Sequence, residues 1–212
     1  MVLMYCDLET TGLDPKKDSI VQLAGIITDG KNEEEFNWNI KPYRPYELSH
    51  GAKWKTGFTE ELLESFPNQI TIYNQFIDLL DKYLKDKNER IYFCGYNSTS
   101  FDMAFMRDWF EFNGSKKFGA YFYFPSIDAM HLAAFYLMGK RANMINFQLE
   151  TVFEEIMGYR MENAHDALAD IKATRKLISK LAQEFINGIN TGKAVPQTAP
   201  ERPVRPVRPH KN

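Results

Sequence analysis

Cysteine is nearly absent: Cys6 and Cys94 are the only two in 212 residues. Two isolated thiols build no disulfide framework and match no zinc-ligand spacing. Both fall in apolar runs that read as strands, so buried, reduced thiols of a cytoplasmic protein are expected. Long hydrophobic runs are also missing. Stretches such as residues 133–138 fall far short of the ~20 residues of a membrane span, and no membrane partner is expected. Asp7 and Glu9 interrupt the apolar N-terminal stretch where a secretory signal would continue. Neither sign of charge dominates, with 26 Lys+Arg against 28 Asp+Glu and a formal net charge of −2. A charged fraction of 25% beside 44% hydrophobic residues excludes wholesale disorder and leaves enough apolar side chain for a core. The length fits one domain plus at most a tail.

The near-zero charge hides an asymmetry. Residues 188–212 hold Lys193, Arg202, Arg205, Arg208 and Lys211 against one acid, Glu201, a net +4 that leaves −6 for residues 1–187. The same segment has five prolines, a repeated Val-Arg-Pro and no periodic apolar face. It reads as a disordered, basic, Pro-rich tail, and residues 1–187 as the folded domain. Such an arm offers a contact to nucleic-acid phosphate or to a protein partner; a solvated extension is the plainer alternative.

Residues 2–8, 19–28 and 35–40 read as strands. The turn Asp29-Gly30-Lys31-Asn32 joins the second to the third, predicting an antiparallel meander. Thr59 before Glu60 and Glu61 marks a helix start, and Ile72, Phe76, Leu79, Leu80 and Tyr83 recur at helical spacing over residues 71–85. A further strand is expected at 90–96, and a strand or extended segment containing Pro125 at 122–128. Helices are expected at 101–112, from 129 to 138, and around Leu149 to Met157, capped by Asn146 and closed at Gly158. A final long helix runs through Leu168, Ile171, Ile178, Leu181 and Phe185. Strands first, then helices alternating with strands, give an α/β fold with a mixed sheet.

Three segments carry chemistry. In DLETTGL (7–13), strand alternation puts Asp7 and Glu9 on one face, where two carboxylates repel unless a cation lies between them. Oxygen-only ligands suit a hard ion, Mg²⁺ or Mn²⁺; two solvated acids at a strand end are the alternative. In NSTSFD (97–102), Asp102 falls in the first turn of a helix, where the macrodipole favours an acid whatever its function. In HDALAD (165–170), His165 and Asp170 would lie about 140° apart on one helix. They converge only if His165 sits in the loop ahead of it.

Taken jointly, the three segments resemble the DEDDh group of 3′→5′ exonucleases in the ribonuclease H-like superfamily, which includes the proofreading subunit of bacterial DNA polymerase III and RNase T. Thr56-Gly57-Phe58-Thr59 is similar to a further family segment between the first two motifs. The resemblance covers residues 1–181 and implies a ribonuclease H-like, mixed five-stranded sheet flanked by helices. It implies that Asp7, Glu9, Asp102 and Asp170 bind two divalent metal ions and that His165 is the general base. It places Thr10, Thr11 and Leu13 against the terminal nucleotide, with Asn97 and Phe101 lining the same pocket; Phe101 reads equally well as core. Asp128 matches a supporting acid of the family and reads equally well as a helix-start acid.

The expected activity is removal of nucleoside 5′-monophosphates from the 3′ end of single-stranded DNA. An RNA-trimming exoribonuclease and a non-catalytic nucleic-acid-binding module are the alternatives. DLETTG leans toward the DNA proofreading members, and the intact carboxylates weigh against the binding module.

Overall fold

A computed structural model describes residues 1–46, 57–86, 88–162 and 167–191. The chain opens with three strands, β1 (Val2–Thr10), β2 (Ile20–Thr28) and β3 (Glu33–Asn39). They pair antiparallel in sequence order, as the turn residues predict. Helices α1 (Glu60–Glu64) and α2 (Gln69–Tyr83) follow, then β4 (Ile91–Gly95), which pairs parallel with β1. Next come α3 (Asp102–Phe112), the short α4 (Phe118–Tyr121), β5 (Ile127–Asp128) and α5 (Ala129–Tyr136). A 3₁₀ turn at Arg141–Asn143 precedes α6 (Leu149–Met157) and the long α7 (Ala167–Thr191). The five strands form one mixed sheet in the order β3-β2-β1-β4-β5.

The central strand explains the layering. Its even residues Val2, Met4, Cys6 and Leu8 enter the larger core with α2 and α3, where Phe76, Phe93, Phe105, Trp109 and Phe110 are fully buried. Each such aromatic contributes roughly 1.5–3 kcal/mol by burial. Its odd residues Leu3 and Tyr5 face the other way, onto a core shared with Ile171 and Ile178 of α7. Alternation then carries Asp7 and Glu9 onto that second face.

Local signals placed most elements. Thr59 caps α1 by accepting from Leu62 N, and Gly158 closes α6 at φ 79°. Other expectations need correction. β1 continues past residue 8 to Thr10, so Glu9 lies within the strand. Of the strand or extended segment expected over 122–128, only Ile127–Asp128 is strand, with a single bridge from Phe122 to Ile91. Pro125, after a cis peptide bond, has no N–H to offer a ladder. Asn146 does not cap α6; its Oδ1 accepts from Gln148 N, and Gln148 takes the cap position. The helix expected to reach residue 138 ends at Tyr136. α7 runs on to Thr191, beyond the body's expected end at residue 187, so residues 188–191 are helix; the rest of the expected tail, 192–212, lies outside the described residues. No helix among the described residues is long and apolar enough to cross a membrane.

Candidate active site

The DLETTGL segment supplies both a strand end and a turn. Thr10 Oγ1 donates to Gly12 O at 2.6 Å, and Thr11 Oγ1 donates to Asp18 Oδ1 while accepting from Ser19 N. Asp18 also takes the amide of Asp14. A Cβ at Gly12 would stand 2.5 Å from the Asp18 carboxyl, so only glycine lets the turn close on that acid. The turn is thereby fastened, and the β-bulge between Glu9 and Thr10 falls at its base.

Asp102 reaches the same place from α3. It is 3% exposed, and its Oδ1 accepts from Leu8 N, the amide between Asp7 and Glu9, at 3.2 Å. Burial, with the nearby charges of Asp128 and Glu9 adding to it, pushes its carboxyl up to about 7. Cys6, beneath it, is held as a thiol by burial and by the charges of Asp102 and Asp7. Asp170 arrives from the first turn of α7.

These four acids line one open cleft of about 660 Å³. Leu13 stands at its mouth, 83% exposed, and Thr10, Asn97 and Phe101 line it too. Phe101 serves both expected roles, since it also packs on Phe105 at 4.9 Å between ring centroids. Thr11 is different: fully buried and occupied with Asp18 and Ser19, its side chain does not reach the cleft. His165 lies outside the described residues, as does Thr56 of the TGFT segment.

Asp128 combines both of its readings. It caps α5 by accepting from Met130 N, and it also accepts from Asn97 N and Thr99 N at 2.9 and 3.0 Å. Asn97 holds φ 61° there, a left-handed conformation that asparagine tolerates better than most. The acid thus pins the loop that delivers Asp102. A Cβ at Gly95 would meet Ser98 Cβ at 2.5 Å, so this loop folds back directly on the strand end.

Reasoning from local pattern did not find the opposite wall. Tyr96 and Phe147 line the cleft, and the Tyr96 hydroxyl donates to Phe147 O at 2.7 Å. Met130 and Glu150 line it as well. The single signal available was the adjacency of Tyr96 to the NSTSFD segment.

The donor set is chemically suited to divalent cations: four carboxylates from three elements, one of them fully buried, with no Lys, Arg or His among the described residues of the lining. As they stand, no three His, Cys, Asp or Glu side chains among the described residues are grouped tightly enough to hold one ion.

Fold and site together define a ribonuclease H-like nuclease of the DEDD type. The profile of the family described as "Exonuclease", of the RNase T kind, matches residues 4–178, and the chain belongs to that family. A DNA polymerase III PolC-type protein of Thermotoga petrophila is 29% identical over 178 residues, which make up 84% of this chain and 12% of that protein. An oligoribonuclease of Photorhabdus laumondii is 27% identical over 198 residues, covering 87% of this chain and 95% of that protein. Among solved structures, E. coli Exonuclease I in complex with a dT13 oligonucleotide superposes with a TM-score of 0.69 at 23% identity, over 90% of this chain and 43% of that one. At that identity the likeness is one of fold. The chain thus spans about an eighth of the PolC-type relative and less than half of Exonuclease I.

Proposed function

We propose that this exonuclease uses divalent metal ions, Mg²⁺ or Mn²⁺, to remove nucleoside 5′-monophosphates from the 3′ end of single-stranded DNA. The observation that carries the reading is the convergence of Asp7, Glu9, Asp102 and Asp170 from β1, α3 and α7 on one cleft. Those four residues are assigned as the ligands. Divalent ions there would polarise the phosphate and lower the pKa of an attacking water. His165, two residues ahead of α7 in the sequence and outside the described residues, is assigned as the base that accepts the water's proton. Asp102 is held against β1 by the Leu8 amide, so the acids of α3 and β1 stay in register. Leu13 and Phe101 offer apolar surface to the terminal nucleotide, and Tyr96 and Phe147 offer aromatic wall for its base.

The DNA preference draws support from the PolC-type relative and from the dT13 bound to Exonuclease I. One observation favours the second reading, an exoribonuclease acting on short RNA: the oligoribonuclease match runs over nearly the whole of that relative. Side-by-side digestion of matched DNA and RNA oligonucleotides, 5′-labelled and 3′-labelled, with Mg²⁺, Mn²⁺ or EDTA, tests both. Mononucleotide release from the 3′ end of DNA, lost in EDTA, is the expected result. Faster RNA digestion moves the assignment to the second reading, and no hydrolysis of either polymer with either metal ends both.

A further inference from the structure

The cleft poses an electrostatic problem for a polyanionic substrate. Its lining carries Glu150 besides the four assigned ligands, and no Lys, Arg or His among the described residues. Metal ions would neutralise the reacting phosphate. The phosphates that follow along the strand need cations elsewhere.

The basic residues near the site are mostly engaged. Lys16 and Arg44 share the buried Asp108, Lys172 and Arg175 pair with Glu35 and Glu33, and Lys140 pairs with Glu155. Arg141 makes no ion pair among the described residues. It is exposed, at the start of the 3₁₀ turn between α5 and α6, and its guanidinium lies 4.3 Å from the centroid of the Phe147 ring. Phe147 lines the cleft, and its carbonyl is tied to the Tyr96 hydroxyl. The positive charge of Arg141 is felt at that hydroxyl, opposing the rise that burial imposes on it. The guanidinium is therefore stacked on the wall of an acidic cleft, its N–H donors uncommitted to any carboxylate among the described residues. Ring and guanidinium held together in this way hold the charge in a set orientation.

We propose that Arg141, seated on Phe147, holds a backbone phosphate of single-stranded nucleic acid as the strand enters the carboxylate cleft. The proposal rests on the exonuclease reading and names its strand-binding cation. Arg141 touches no reacting group; it is a positioning residue.

The test is fluorescence anisotropy of 5′-labelled (dT)10 and U10 in EDTA across a salt titration, with wild type, Arg141→Ala and Arg141→Lys. Arg141→Ala is expected to bind roughly tenfold more weakly at low salt. Its slope of log affinity against log salt should be shallower by about 0.7, the contribution of one single-strand phosphate contact. Arg141→Lys should keep the wild-type slope and lose affinity by a smaller factor, because it retains the charge without the planar stack. In metal-activated digestion of a ladder from dinucleotide to decanucleotide, Arg141→Ala should raise KM only above a threshold length, with kcat unchanged. Wild-type slope and affinity in Arg141→Ala overturn the proposal, as does a wild type that binds neither oligonucleotide. A wild type that binds but releases no mononucleotide ends the exonuclease reading and leaves the anisotropy comparison standing.

Discussion

The two faces of β1 share one backbone and do opposite work. Toward α2 and α3, Val2, Met4, Cys6 and Leu8 form an unbroken apolar row, each at most 4% exposed. Toward α7, Leu3 and Tyr5 begin the same way, and then Asp7 and Glu9 replace them. The first face holds the sheet to its helices. The second spends two positions that would have extended a core on carboxylates, next to a third acid, Asp102, that burial keeps reluctant to ionise. Stability and chemistry are thus separated by two residues of pleat, and each face can be altered with the other left in place.

The largest expected effect is on the charged face. Asp7→Ala with Glu9→Ala should lower metal-dependent mononucleotide release by more than roughly 10³-fold, with the thermal midpoint of the metal-free protein no lower than wild type. A collapse of that midpoint would show that the acids also hold the fold and would blur the separation. On the apolar face, Met4→Ala should cost about 2–5 kcal/mol of stability, read as a fall in urea midpoint, with the specific activity of the folded fraction retained.

Asp102→Asn sharpens the contrast from the other side. The wild-type carboxyl sits at about 7 when folded, above its ordinary value of 3.8. The folded state therefore binds more protons between those values, and this group's contribution to stability falls as pH rises from about 4 through 7. In EDTA, Asp102→Asn should melt above wild type at pH 8, with the gap closing below pH 4, while activity is lost. A gap that stays constant with pH would contradict the assigned cause. The smallest effect belongs to the chain beyond α7. Deleting residues 192–212, which carry all five of the basic residues in that terminal stretch, should weaken oligonucleotide binding a few-fold at low salt and leave turnover of short oligonucleotides intact. Unchanged low-salt affinity would make that segment irrelevant to the substrate.

Much of this was legible from local pattern, for a definite reason. Alternation along a strand, helical spacing and caps such as Thr59 and Gly158 depend on neighbours a few residues away. So do the antiparallel meander of β1, β2 and β3 and the presence of Asp7 and Glu9 on one face. The short β5, the cap of α6 and the extension of α7 escaped because Pro125 withholds a ladder N–H, Asn146 turns its Oδ1 to the Gln148 amide, and nothing in the pattern marks where α7 stops. That the Thr11 side chain stays out of the cleft was not legible either, since its hydroxyl is claimed by Asp18 and Ser19 across a turn.

The sequence by itself therefore determined the class of chain, the meander, the helix faces and the four acids. Only the tertiary structure decided that Asp102 docks on the amide of Leu8, that Asp128 clamps the loop ahead of Asp102, and that Tyr96 and Phe147 close the opposite wall. Those contacts join residues from 29 to 94 positions apart. No periodicity encodes such a meeting; it follows from packing both sides of one sheet, which fixes where each strand end and helix start must fall.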